Sequence, residues 1–251
     1  MYTKELIFLL RHNTCLSKIC VSIAARNIEQ LKMQINQAFS FGADYVEIRF
    51  DFLNLSDMNE ALSIANQVNR KAVYTLRSPE QGGQFKGNTS ERIACLEKLS
   101  SSMPMLLDVE LDTIKSNDNL AHYLGEQNAS LLISWHDFEK TPSNAQLTST
   151  LYEMRKYSQN VKIVTTAQKT EDSLSLLELY ENSLGLNLIA FAMGEAGVIS
   201  RLLCVIIGSA PFTYASLEKA ISPGQLTIKQ MRKLYDRINA QLSQTTNAKP
   251  S

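Results

Sequence analysis

The chain has 251 residues, 25 Lys plus Arg against 25 Asp plus Glu, and 44% hydrophobic residues. A formal net charge of zero, with its basic residues scattered, gives no general attraction to nucleic acid or to an acidic membrane surface. The length suits one large α/β domain, 1–251, with room for a sizeable core.

In chain order, residues 5–12 (ELIFLLRH) read as an extra strand or hairpin, so 1–17 is expected to close one end of the fold. The N-terminal apolar run is too weak for a secretion signal, and the expected location is cytoplasmic. Eight short apolar runs then recur: KICVSIA (18–24), YVEIRF (45–50), AVYTLR (72–77), PMLLDVEL (104–111), SLLISWH (130–136), VKIVTTA (161–167), NLIAFAM (187–193) and CVIIGS (204–209). Their length and their content of Val, Ile, Leu and aromatics fit buried parallel strands.

Helical patterns separate them. Ile28, Leu31, Ile35 and Phe39 keep helical spacing before Gly42, and Ser56 is placed as the cap of a helix through Leu62 and Ala65. Asn88 opens a helix carrying Ile93, Leu96 and Leu99, while Thr170 or Glu171 opens another through Leu174, Leu177 and Tyr180. Residues 226–243 form a terminal helix and 244–251 a frayed tail. Eight strand–helix alternations without a linker predict a closed (β/α)8 TIM barrel. The rival, a doubly wound open sheet, lacks GxGxxG or GxxxxGK[ST] after any strand.

Cys15, Cys20, Cys95 and Cys204 make no CxxC or Cys/His cluster, so no metal site is expected and the thiols read as small buried hydrophobes. Active sites of barrels gather at the C-terminal ends of the strands, on inward-facing positions. That filter selects Glu47, Arg49 and Asp51 on strand 2, Arg77 at the end of strand 3, His136 at the end of strand 5, Lys162 in strand 6 and Arg201 beyond Gly194 and Gly197, while Asp108 and Glu110 share a face of strand 4, either completing a polar layer or pairing with the arginines. A lysine among apolar neighbours loses charge stabilisation and becomes a nucleophile suited to a Schiff base, whereas one at a strand entrance snorkels to water. Among three histidines only His136 sits at the barrel mouth, where it either moves protons or holds structure. The arginines suit carboxylate or hydroxyl groups of an anionic ligand, or ion pairs with Glu47 and Asp51.

Taken in order, VSIAAR (21–26), VEIRFDF (46–52), TLRSPEQGG (75–83), DVEL (108–111), ISWHDFEKTP (133–142), VKIVTTAQ (161–168), AMGEAGVISR (192–201) and SPGQ (222–225) resemble type I 3-dehydroquinate dehydratase. The resemblance covers about residues 18–230. It implies that Lys162 forms a Schiff base with the C3 ketone of 3-dehydroquinate and that His136 is the general acid/base. It further implies that Arg201 binds the substrate carboxylate, that Glu47, Arg49 and Arg77 hold ring hydroxyls, and that Ser22 and Gln225 make further contacts. The product would be 3-dehydroshikimate, with no metal or organic cofactor, in a cytoplasmic homodimer serving aromatic amino-acid biosynthesis.

Two positions depart from the family pattern. The family usually carries glutamate where this chain has Gln81, and a neutral amide beside His136 favours its protonated form less, placing the acid limb of the pH–rate profile lower. The serine expected four residues before Gln225 falls on Ile221, with Ser222 one place later. The alternatives are another Schiff-base barrel, such as a class I aldolase, and a barrel that only binds small molecules.

Overall fold

The structure is a computed structural model and describes residues 17–183 and 185–247. Eight strands alternate with helices: β1 (Ile19–Ile23), α1 (Ile28–Ser40), β2 (Tyr45–Arg49), α2 (Met58–Ala65), β3 (Ala72–Thr75), α3 (Thr89–Ser100), β4 (Leu106–Glu110), α4 (Leu111–Lys115), α5 (Asp118–Glu126), β5 (Leu131–His136), α6 (Asn144–Met154), β6 (Asn160–Thr166), α7 (Thr170–Glu178), β7 (Asn187–Met193), α8 (Val198–Leu203), β8 (Thr213–Ser216) and α9 (Ile228–Asn247). The sheet runs β7-β6-β5-β4-β3-β2-β1-β8, and every ladder is parallel. Its two ends meet through side chains, with the Phe191 and Tyr214 rings 6.0 Å apart. No ladder joins β7 to β8 among the described residues, so the expected (β/α)8 barrel is present but nearly closed.

Side chains alternate between two cores, because successive residues of a strand face opposite ways. Ile19, Val21, Ile23, Val46, Ile48, Leu107, Val109, Ile133, Val161 and Ile163 pack outward against the helices. Cys20, Val73, Leu106, Leu132, Val164, Ile189, Phe191, Phe212 and Tyr214 fill the interior. The same inward parity carries the charged residues of β2, β4 and β6.

Local capping follows the sequence. Asn27 caps α1, and Asn88 with Glu91 forms a reciprocal capping box on α3. Ser56 is not the cap of α2; it lies inside the 3-10 turn Leu55–Asp57, and Asp57 takes the cap position.

The eighth strand is also displaced from the expectation. CVIIGS continues the α8 helix as turns, with Cys204 N–H donating to Ser200 O and Ile207 N–H to Leu203 O, and β8 lies at Thr213–Ser216 instead. A short apolar run has the same composition in a buried helical turn as in a buried strand, and periodicity does not separate them.

The terminal helix extends to Asn247, past the expected 243. The closing segment expected at 1–17 lies almost wholly outside the described residues, as does the tail beyond 247. Among the described residues no helix is long and apolar enough to cross a membrane.

Candidate active site

The eight residues to which the family resemblance assigns catalysis or binding, Ser22, Glu47, Arg49, Arg77, His136, Lys162, Arg201 and Gln225, line one pocket at the C-terminal mouth of the barrel, and Asp51, Asp108 and Glu110 are not among its lining. It measures about 630 Å3, its open mouth included.

The floor is an ionic network. Lys162, 4% exposed, comes from inward parity on β6 and meets the Asp108 carboxylate, with Glu47 Oε1 3.7 Å away and the Tyr214 ring centroid 5.0 Å below. Lys162 is buried rather than snorkelling to water, but its setting is not simply apolar: Val161 and Ile163 face the helices, and Lys162 faces two acids as well as the Tyr214 ring. Asp108 also accepts from Arg77 Nη2 at 2.8 Å and Ser134 Oγ at 2.6 Å. Burial pushes its carboxyl up, but Arg77 and Lys162 reverse this and hold it well below the usual carboxylate range.

Glu47 accepts from Ser22 Oγ at 2.7 Å and Thr75 Oγ1 at 3.0 Å. Burial again raises its pKa, and Lys162 and Arg49 more than offset that, leaving it ionised. Glu110 accepts from the Ser78 N–H at 3.0 Å, lies 3.4 Å from Arg77 Nη1 and pairs with Arg92. Asp51 is paired as expected, forming a two-pronged contact with Arg49 at 2.8 and 2.7 Å.

The walls differ from the floor. His136 closes β5 and stacks on Phe138, with ring centroids 5.7 Å apart and planes 13° from parallel. Burial depresses its pKa well below 6.5, and Arg77 and Lys162 push it further down, so the imidazole is neutral near pH 7. Arg201, on α8, is 1% exposed; its guanidinium lies 4.1 Å over the Phe191 ring and 3.5 Å from Ser222 Oγ. No acidic side chain pairs with it among the described residues, and burial lowers its pKa to about 10.

A loop between β8 and α9 forms the rim. It brings Ile221, Ser222 and Gln225 to the pocket, so the shifted serine does reach the site beside Arg201. Gly194 N–H donates to Pro223 O at 3.1 Å. Gly224 has φ +71°, and a Cβ there would lie 2.2 Å from Gly194 O, so only glycine fits this seam.

Four buried side-chain polar atoms lack a hydrogen-bond partner among the described residues: Gln81 Oε1, His136 Nδ1, Arg201 Nε and Tyr214 Oη. All four residues line this one pocket. A native fold leaves few such atoms, and all four of these are concentrated at this site.

A model of the family described as Type I 3-dehydroquinase matches residues 19–241. The chain belongs to the type I 3-dehydroquinase family. It is accordingly a hydro-lyase of the 3-dehydroquinate dehydratase type. It is 38% identical over 217 residues to a 3-dehydroquinate dehydratase of Dehalococcoides mccartyi, covering 84% of this chain and 94% of that protein. The Methanopyrus kandleri 3-dehydroquinate dehydratase is 33% identical over 222 residues, covering 88% and 99%. Among solved structures, the Aquifex aeolicus 3-dehydroquinate dehydratase has a TM-score of 0.73 at 32% identity, covering 88% of this chain and 98% of that one. The type I enzyme of Clostridium difficile, described "with covalent modified comenic acid", has a TM-score of 0.79 at 26% identity, covering 90% and 93%.

Sequence reasoning passed over Thr75, Ser134, Phe138 and Tyr214. Ser134 and Thr75 are small polar residues at inward parity, and parity from His136 and Arg77 finds them. Phe138 follows His136 by two residues. Tyr214 had no such signal while the eighth strand was placed at 204–209.

Proposed function

We propose that the chain removes water from 3-dehydroquinate to give 3-dehydroshikimate through a Schiff base on Lys162, with His136 as general acid/base. The observation that carries this reading is the charge pattern of the pocket. Arg77, Lys162 and Arg92 are matched by Glu47, Asp108 and Glu110, and Arg49 is matched by Asp51. Among the described residues Arg201 is the pocket cation left without an acidic partner, and a buried cation without a counter-charge calls for one negative charge on the ligand. The single carboxylate of 3-dehydroquinate supplies it. A phosphorylated aldol substrate brings more charge than one guanidinium offsets, which weighs against the aldolase alternative.

With the carboxylate at Arg201, the C3 ketone reaches Lys162 Nζ. The amine, after losing a proton, adds to the carbonyl carbon; the carbinolamine oxygen leaves as water and an iminium forms. The iminium draws electrons from C2, whose proton passes to the neutral imidazole of His136. The C2–H electrons, held as an enamine between C2 and C3, shift into a C1=C2 double bond as the C1–O bond breaks; the hydroxyl leaves as water with the proton from His136, and the iminium is restored. Water then adds to the iminium carbon and frees Lys162. Glu47, Arg49 and Arg77 hold ring hydroxyls, with Ser22 and Gln225 as further contacts. The residues near the reacting carbon need no electrophile beyond the iminium itself.

The test is incubation with 3-dehydroquinate, borohydride reduction and peptide mass mapping. A reduced adduct on Lys162, together with growth of enone absorbance, is expected. Absence of both would sink the reading, and an adduct formed only with aldol substrates would favour the aldolase. The resemblance also supports a cytoplasmic homodimer in aromatic amino-acid biosynthesis; sedimentation at micromolar concentration checks the oligomeric state.

A further inference from the structure

Of the four unpartnered buried atoms, three belong to residues the sequence reading had already placed beside the reaction: Gln81, His136 and Arg201. The fourth is the hydroxyl of Tyr214. Tyr214 is 4% exposed and enters the barrel from β8 at inward parity, opposite Cys20 of β1. Two aromatic neighbours fix its ring, Phe212 at 5.5 Å and Phe191 at 6.0 Å. Lys162 Nζ sits over the ring face, 5.0 Å from the centroid. Burial, with Glu47 next in effect, pushes the phenol well above its ordinary range, so it stays an O–H donor at every working pH.

We propose that Tyr214 is a substrate-binding residue of this enzyme, its hydroxyl donating a hydrogen bond to an oxygen of the ligand at the end that joins Lys162. Three observations converge on this. The ring is held rigidly by packing, so the hydroxyl cannot swing to a partner elsewhere. The residue lines the pocket that also receives Lys162 and Arg201. A buried hydroxyl without a partner destabilises a fold, and such a group persists where a ligand completes it. The ketone oxygen, and the carbinolamine oxygen that replaces it, are the acceptors nearest the lysine. A donor there places the carbonyl carbon against Nζ without itself transferring a proton.

The inference rests on the proposed dehydratase chemistry, and one variant separates the two. Tyr214→Phe keeps the ring beneath Lys162 and deletes one oxygen. Steady-state kinetics on 3-dehydroquinate, thermal unfolding and borohydride trapping are measured for both proteins. The expected result is a loss of about tenfold in kcat/KM, the size of one hydrogen bond to the reacting ligand, with slower adduct formation. The melting temperature should stay level or rise, because the deleted hydroxyl has no protein partner. A hydroxyl with a merely structural role would give the opposite pair: lower melting temperature and unchanged kinetics. Unchanged kcat/KM in an active protein overturns the assignment of Tyr214 alone. A wild-type chain that neither turns over 3-dehydroquinate nor forms an adduct removes the dehydratase reading and this assignment with it.

Discussion

Replacing Arg201 by methionine should make the empty protein more stable and abolish binding of the anionic substrate. The guanidinium is 1% exposed and has no acidic partner among the described residues, and burial lowers its pKa from the ordinary guanidinium range to about 10. At 1.36 kcal/mol per pKa unit, holding it charged inside the fold costs about 3 kcal/mol. The folded-state pKa lies below the unfolded one, so this cost is fully present below about pH 10 and fades as pH climbs above it. Methionine keeps the length of the stem against Phe191 but loses the cation over the ring, worth about 1–2 kcal/mol when desolvated. The balance is a gain of roughly 1–2 kcal/mol, or a rise in Tm of about 2–8 °C for a chain of this size. Scanning fluorimetry at pH 7 reads it directly. Millimolar 3-dehydroshikimate should raise the Tm of the wild type through mass action and leave Arg201→Met unmoved. A variant that melts several degrees lower, or that keeps the ligand-induced shift, would refute the claim that Arg201 is an uncompensated charge awaiting an anion.

The other variants probe the chemistry and its support. Lys162→Ala should abolish turnover and adduct formation, since no other amine among the described residues lines the pocket, while His136→Ala should still form the adduct with turnover down about 10²–10⁴-fold, as rapid-quench trapping would show. Gln81→Glu should move the acid limb of the kcat/KM profile upward from its start below pH 6.5: an added carboxylate favours imidazolium at His136, against burial and the cations Arg77, Lys162 and Arg49 and beside the existing Asp108. A profile that does not move would remove Gln81 from any role in setting that limb. Glu110→Leu should lower Tm by at least about 6 °C, because Arg92 and Arg77 lose a buried partner and breaking such a pair costs about 3–5 kcal/mol.

The barrel and most of the site could be read from the chain because both rest on parity. In YVEIRF the apolar Val46 and Ile48 pack outward and Glu47 and Arg49 turn in, and the same alternation places Asp108 and Glu110 on β4. Lys162 was legible in position but not in environment. Its sequence neighbours are apolar, yet they lie on the other face, and its spatial neighbours Asp108 and Glu47 come from strands 54 and 115 residues distant in the numbering. The eighth strand was not legible, since TYAS is four residues long and the apolar CVIIGS before it outweighs it in any composition count. That single displacement hid Tyr214. Likewise no periodicity announces that Arg201 lacks a partner, because a missing contact is a property of the whole fold.

The pocket combines two kinds of buried polar group, and the distinction orders the effects of mutation. Asp108, Glu110, Arg77 and Arg92 satisfy one another around β4 and α3, and Glu47 is held by Ser22, Thr75 and Lys162, so loss of one of these charges leaves its partner stranded. Arg201, Tyr214, His136 and Gln81 carry atoms that the protein itself does not satisfy. The first group fixes the geometry of Lys162; the second waits on a ligand. Substitutions in the first should therefore lose stability and activity together, whereas substitutions in the second should lose activity while stability holds or rises. Glu110→Leu against Arg201→Met is the cleanest contrast, since the two changes pull Tm in opposite directions within one pocket. An equal fall in both would mean that the unpartnered atoms are as structural as the paired ones, and the division would fail.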